Sequence, residues 1–252
     1  MKLLIFDVGG VLRDSSLMVY EGFRRAFAAE GLDFDFDAHD VWHLRGVGKY
    51  NRSFNAIIAL IAITRSGDSV KEILKKPDTE AVLNDIVEMH ISEGDSELKD
   101  RIRARYKEFA ASDEAGDFVK IAYKCRESID MLSRRFMLAV LTNASRPSFT
   151  RDFRDRIDLR RFSVIITADE MTKKKPDPEC MLRIIKEVGV EPGEAAYVGD
   201  SVIDIMTARA AGCKSIVMTS GMASEEHLRE EVPDYVFENV WEMTKEFMKG
   251  DM

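Results

Sequence analysis

The sequence predicts an α/β protein, a parallel sheet with an all-helical domain inserted into it, and three observations carry that reading. Short apolar runs recur at Leu3–Phe6, Met137–Thr142, Ser163–Thr167, Ala195–Val198 and Ser215–Met218. Runs of this length without polar alternation suit strands buried on both faces. Helical patterns such as Pro178–Val188 and Val202–Ala211 separate the later runs, the rhythm of βαβ units. The interval from about Leu17 to Ala111 breaks that rhythm. Its segments Leu17–Glu30, Arg52–Ile63, Thr79–His90 and Ser96–Ala111 all carry helical spacing, and a βαβ crossover needs only one helix. Residues 16–111 are therefore expected to form a helical domain, and residues 1–15 with 112–252 the sheet domain.

Composition bounds the function classes. The 252 residues include 45% hydrophobic and 33% charged side chains and carry a net charge of −8, an ordinary globular balance that disfavours nucleic acid as a partner. The basic clusters Arg101–Arg105 and Lys173–Lys175 are too short to change that. Three scattered cysteines, Cys125, Cys180 and Cys213, suggest neither a disulfide framework nor a metal knuckle and fit a reducing compartment. The apolar N-terminal run is far shorter than a signal peptide, and the longest apolar run, Ala56–Ile63, is too short to span a bilayer. A cytoplasmic protein without membrane attachment, monomeric or homodimeric, is expected.

Open parallel sheets bind ligands beyond the carboxyl ends of their strands, so the residues ending each run matter most. The first run ends Phe6-Asp7-Val8-Gly9-Gly10. An Asp there, with glycines permitting a tight turn and close backbone approach, could be a nucleophile or a metal ligand. The second ends Leu141-Thr142-Asn143, a hydroxyl and backbone donors suited to a phosphate oxygen. After the third comes Lys173-Lys174-Lys175-Pro176-Asp177-Pro178, where two prolines stiffen a turn that could fix a cation. The fourth ends Val198-Gly199-Asp200-Ser201-Val202-Ile203-Asp204, placing two carboxylates one helical turn apart, as suits a hard cation such as Mg²⁺. Each feature alone has an ordinary explanation: Asp caps helices, Thr ends strands, and Lys before Pro is solvated. Their order along successive strand ends is what makes them informative.

Together these residues resemble the four motifs of the haloacid dehalogenase-like superfamily. The resemblance extends through Ala168-Asp169-Glu170-Met171, the segment from Asp204 to Gly212, and Ser220-Gly221-Met222 to Val236. It points to the subfamily with a helical cap after the first strand, phosphoglycolate phosphatase- and β-phosphoglucomutase-like, and implies a Rossmann-like core. It also implies a Mg²⁺-dependent phosphohydrolase acting on a small phosphorylated metabolite through an aspartyl-phosphate. Asp7 would then be the nucleophile and a metal ligand, with the Gly9 backbone carbonyl and Asp200 binding the metal directly and Asp204 through water. Thr142 and the Asn143 backbone would hold the phosphoryl group, and Lys175 would screen nucleophile and phosphate. Arg45 and Lys49, in the cap loop Arg45-Gly46-Val47-Gly48-Lys49, would read the substrate's polar end.

The chain departs from the superfamily pattern at Gly9, where most of its phosphatases carry an Asp that protonates the leaving oxygen and then activates water. General acid–base catalysis is typically worth ~10²–10⁴ in rate. Its loss weighs against a fast phosphatase for poor leaving groups and against a phosphomutase. It leaves open a carbon–phosphorus hydrolase resembling phosphonoacetaldehyde hydrolase, with Lys49 as its Schiff-base lysine, and a catalytically impaired binding module. A metal-independent dehalogenase fits poorly with the Asp200/Asp204 pair. His39 and His43 have the helical spacing of metal ligands but no evident third partner, and read as a surface pair. The loop ending at Lys49 lacks the first glycine and the Ser/Thr of a P-loop.

Overall fold

The computed structural model describes residues 1–249, which divide into two compact units: Ser15–Val119, and Met1–Asp14 with Lys120 onward. No helix among the described residues is long and apolar enough to cross a membrane.

The first unit is helical: α1 (Ser16–Ala28), α2 (Ala38–Leu44), α3 (Ser53–Ser66), α4 (Val70–Ile73), α5 (Thr79–His90) and α6 (Ser96–Ala111). In α1 the apolar face Val19, Phe23, Ala26 and Phe27 is buried, and the Phe23 ring meets Tyr106 of α6 edge-on at 4.7 Å. Helix α3 buries Ala56, Ile57 and Ala59 to Ile63. A helix apolar on every side has to be enclosed, and α5 and α6 pack against it. Between α1 and α2 the chain runs Asp33-Phe34-Asp35-Phe36-Asp37, with the Phe34 ring against both Phe27 and Phe36 and the three aspartates exposed. The unit continues to Val119 through a short 3-10 turn, Glu114–Phe118, packed on α1 and α6.

The second unit is Rossmann-like. Its six-stranded parallel sheet is built from β1 (Leu3–Phe6), β4 (Met137–Leu141), β5 (Phe162–Ile166), β6 (Ala195–Gly199), β7 (Lys214–Met218) and β8 (Tyr235–Phe237), in the order β5-β4-β1-β6-β7-β8. A small antiparallel pair, β2 (Arg13–Asp14) with β3 (Lys120–Ile121), forms a separate ladder. Six helices accompany the sheet: α7 (Cys125–Leu132), α8 (Arg146–Phe153), α9 (Glu179–Val188), α10 (Val202–Ala210), α11 (Glu225–Glu230) and α12 (Val240–Met248).

Strand β1 is central and fully buried, and its alternation feeds two cores. Leu4 and Phe6 join residues of α7, α8 and α12, including Ile129, Phe149 and Met243. Leu3 and Ile5 join residues of α9 and α10, including Met181, Ile184 and Ala208. Burying such side chains contributes about 1.5–3 kcal/mol each as an upper estimate. With both faces covered, a polar side chain is costly anywhere along β1. The first one after it is Asp7.

Candidate active site

Register brings the strand ends together. Phe6 pairs with Val140 of β4 and Val198 of β6, and the Asp7 N–H continues the ladder to the Val198 carbonyl at 2.8 Å. Asp7 therefore emerges between the strand that leads to Thr142 and the strand that leads to Asp200. One carboxylate oxygen each from Asp7, Asp200 and Asp204 lies within 4.8 Å of the others.

Lys175 joins this group although it lies in a turn far along the chain. Its side chain is 5% exposed. Its ammonium lies 2.7 Å from Asp204 Oδ1, 2.9 Å from the Tyr197 hydroxyl and 3.2 Å from Asp7 Oδ1. Burial alone would depress the Lys175 pKa, but Asp204 and Asp7 outweigh it and hold the group well above the usual lysine range. Asp200 is pushed well above the ordinary carboxylate range, first by burial and then by Asp204 and Asp7. Burial also raises Asp7, and Lys175 offsets this only in part.

Three carboxylates face one ammonium in a buried place. Ionised together they would leave two uncompensated negative charges, which have to be neutralised by a cation or by protons. A divalent cation that prefers hard oxygen ligands fits that deficit and that donor set. The carboxylates are not equivalent toward it. Asp204 Oδ1 accepts from Lys175, and Oδ2 accepts from the Asp200 N–H, the Ser201 N–H and the Ser201 hydroxyl. Asp204 and Ser201 form a capping box at the start of α10. With both oxygens engaged, Asp204 suits contact through water. Asp200 Oδ2 accepts from the Met222 N–H at 3.0 Å, which leaves Oδ1 for a cation.

Two glycines make room for Asp200. Gly10 has φ +69°, and a Cβ there would collide with the Asp200 carboxylate; a Cβ on Gly221 would collide with the Asp200 side chain as well. Gly9, beside Gly10, is different. It does not take the left-handed conformation, and a Cβ on it would meet no atom of the sheet unit within 4 Å. Thr142 follows β4, is 3% exposed, and its Oγ1 accepts from the Ala144 N–H at 3.2 Å, so its hydroxyl hydrogen can be donated elsewhere. Asn143 is exposed beside it.

The structure thus brings Asp7, Lys175, Asp200 and Asp204 together and sets Thr142 at the adjoining strand end. Arg45 and Lys49 belong to the helical unit and differ from each other there. An Arg45 guanidinium nitrogen donates to the Asn51 carbonyl at 3.0 Å, bracing its own loop. Lys49 is exposed, while its N–H donates to Glu80 Oε1 and its carbonyl accepts from Asn55. The His39 and His43 rings lie with centroids 4.1 Å apart and planes tilted by 49°. His39 also lies near Asp37 and Asp40, but Asp37 already caps α2 and pairs with Lys71 at 3.0 Å.

Two contributors escape a reading of the sequence. Tyr197 looks like strand filler inside Ala195–Val198, and only its hydroxyl in an otherwise apolar run hints at a buried polar partner. The Met222 N–H is invisible to any side-chain pattern, although Gly221 before it marks a close approach.

A parallel sheet that gathers an aspartate, a buried lysine and an acidic pair at its strand ends suits a hydrolase. The chain belongs to the haloacid dehalogenase-like hydrolases, whose family model matches residues 1–212. Among curated relatives, the phosphoglycolate phosphatase of Escherichia coli (strain K12) is 34% identical over 104 residues, 41% of each chain. The match thus spans about two fifths of that relative's length. Among solved structures, a hydrolase from Pseudomonas syringae superposes with a TM-score of 0.68 at 17% identity, covering 100% of both chains. A haloacid dehalogenase-like family hydrolase from Streptococcus pneumoniae gives 0.67 at 17% identity, over 98% of both chains. These structures share the fold.

Proposed function

We propose that this chain is a Mg²⁺-dependent phosphohydrolase that cleaves a small phosphorylated metabolite through an aspartyl-phosphate on Asp7. The observation that carries the reading is the buried cluster of Asp7, Asp200 and Asp204 around a single ammonium, with its deficit of two positive charges. The partial likeness to a phosphoglycolate phosphatase supports a small phosphorylated substrate. Three free, buried cysteines agree with a cytoplasmic setting.

In this reading an Asp7 oxygen forms a bond to phosphorus as the bond to the leaving oxygen breaks, and water later cleaves the acyl phosphate. Lys175 offsets the repulsion between carboxylate and phosphate, and the Thr142 hydroxyl and Asn143 N–H hold phosphoryl oxygens. Asp7, Asp200 and the Gly9 carbonyl would hold Mg²⁺ directly, with Asp204 acting through water. Bound there, the ion would neutralise developing charge on the phosphoryl oxygens. Arg45 and Lys49 are the helical unit's proposed contribution to substrate choice.

The test is turnover of acetyl phosphate, p-nitrophenyl phosphate and phosphoglycolate by purified protein with Mg²⁺, alongside Asp7→Asn. The wild type should release phosphate and the variant should not, since an amide neither attacks phosphorus nor balances the metal charge. An active Asp7→Asn protein would sink the mechanism. Gly9 keeps a second reading in view, a carbon–phosphorus hydrolase using exposed Lys49. Borohydride trapping of an aldehyde phosphonate on Lys49 would establish it in place of the first.

A further inference from the structure

If the site is a phosphohydrolase site, as proposed above, its rate depends on where the Lys175 ammonium points. An ammonium on a four-carbon stem can swing, yet here its directions are taken one by one. One hydrogen goes to Asp204 Oδ1 at 2.7 Å and one to the Tyr197 hydroxyl at 2.9 Å. The Tyr197 hydroxyl can accept that bond because its own hydrogen is committed, donated to the Leu141 carbonyl at 2.8 Å. Two of the three ammonium hydrogens are thereby fixed. The third is left facing Asp7, whose Oδ1 is 3.2 Å away.

We propose that Tyr197 is a positioning residue for catalysis: its hydroxyl locks the Lys175 ammonium so that one N–H is directed at the Asp7 carboxylate and the phosphoryl group it attacks. The same hydroxyl reaches from β6 to β4, the strands on either side of β1, and ends on the residue immediately before Thr142. It therefore fixes the cation relative to the phosphate-binding strand end as well as to the nucleophile. Tyr197 is 1% exposed, so no water substitutes readily for its hydroxyl. Removing the oxygen leaves a buried N–H and the Leu141 carbonyl each short of a partner, and the ammonium is free to turn away from Asp7.

The experiment compares wild type, Tyr197→Phe and Tyr197→Leu with p-nitrophenyl phosphate and acetyl phosphate at saturating Mg²⁺, with thermal midpoints measured in parallel. Phe keeps the ring volume and loses only the oxygen. It should lower kcat by about tenfold, the equivalent of ~1.4 kcal/mol, with KM within about twofold of wild type because uniform binding is untouched. Leu should lose a similar factor in kcat while its thermal midpoint falls well below that of Phe. A Tyr197→Phe enzyme with wild-type kcat would overturn the proposal. So would kcat losses that follow the thermal midpoints, small in Phe and large in Leu, because they would mark a purely structural role. A wild-type protein inactive on both substrates would overturn the phosphohydrolase reading, and this inference with it.

Discussion

Restoring a carboxyl group at Gly9 is the most direct probe of how this site handles the leaving group. In Gly9→Asp the new Cβ would meet no atom of the sheet unit within 4 Å, and the backbone there is not left-handed. Neither crowding in that unit nor strain stands in the way. Asp7, Asp200 and Asp204 already gather beyond this strand end, and their charge favours the protonated form of a further carboxyl beside them, the form a general acid needs. A well-placed general acid contributes ~10²–10⁴ in rate, or about 3–5 kcal/mol. With no neighbour near Cβ to select one of roughly three staggered rotamers, part of that gain is lost. The expected increase is about 10- to 100-fold in kcat/KM for an alkyl phosphate, and under about threefold for p-nitrophenyl phosphate, whose leaving group departs without a proton. The assay is kcat/KM across alkyl, aryl and acyl phosphates plotted against leaving-group pKa, steep for wild type and flatter for the variant. A variant slower on every substrate, in a place with this much room, would refute the idea of a missing acid. It would favour the carbon–phosphorus reading, where Lys49 activates the substrate.

The neighbouring glycine should behave in the opposite way. Gly10→Ala incurs ~1–2 kcal/mol for a left-handed L residue and pushes Asp200 aside, so urea unfolding should show the loss together with weaker Mg²⁺ activation, whereas Gly9→Ala should be nearly silent. Asp200→Ala should raise the Mg²⁺ half-saturation concentration and lower kcat together, and activity surviving excess EDTA would contradict its assignment. Lys49→Ala should reduce turnover of the preferred metabolite by about tenfold or more while sparing acetyl phosphate; equal losses would remove Lys49 from substrate choice. In the helical unit, hydrogen bonds from Arg24 and then Arg25 hold the Glu21 carboxyl at about 2, below the ordinary 4.5. A depressed pKa stabilises above the unfolded value and loses that contribution as pH falls toward the folded one. The urea-midpoint gap between wild type and Glu21→Gln should therefore be full above pH ~5 and shrink below pH ~4, and a gap constant down to pH ~3 would refute the pairing.

What is legible in the sequence follows from where physical constraints are strong. The five apolar runs can be read because burial on both faces excludes polar residues, and the observed strands match them to within one residue at each end. Strand β8 escapes that reading because its three residues are only partly buried at the sheet edge, and β2 with β3 is too short to leave a pattern. Asp7 and Asp200 stand out as polar residues at strand ends, Lys175 as a cation in the proline turn that follows β5, and Asp204 as a carboxylate one helical turn after Asp200; the structure brings the four together. The order β5-β4-β1-β6 that does so has no local signal, and neither does a backbone N–H such as that of Met222. Arg45 and Lys49 look alike as cationic loop residues. Only the fold reveals that Arg45 turns back to the Asn51 carbonyl.

The central place of β1 also bears on how the molecule is made. Its hydrogen-bonding neighbours are β4 and β6, beginning at Met137 and Ala195, so the strand that leads to Asp7 leaves the ribosome long before either partner exists. At ~5–20 residues per second, the roughly 135 residues from β1 to the end of β4, its first partner, take about 7–27 s to synthesise. During that interval Leu3, Leu4, Ile5 and Phe6 form an apolar edge with nothing to pair against, while the helical segment Ser15–Val119 emerges with its own core. Its local contacts are of the fast-forming kind, and the long-range strand pairings are slow. Asp7 is thus made well before Asp200 and Asp204, which follow β6, so the cluster of carboxylates assembles late, and the waiting β1 segment is where a holding chaperone would bind the nascent chain.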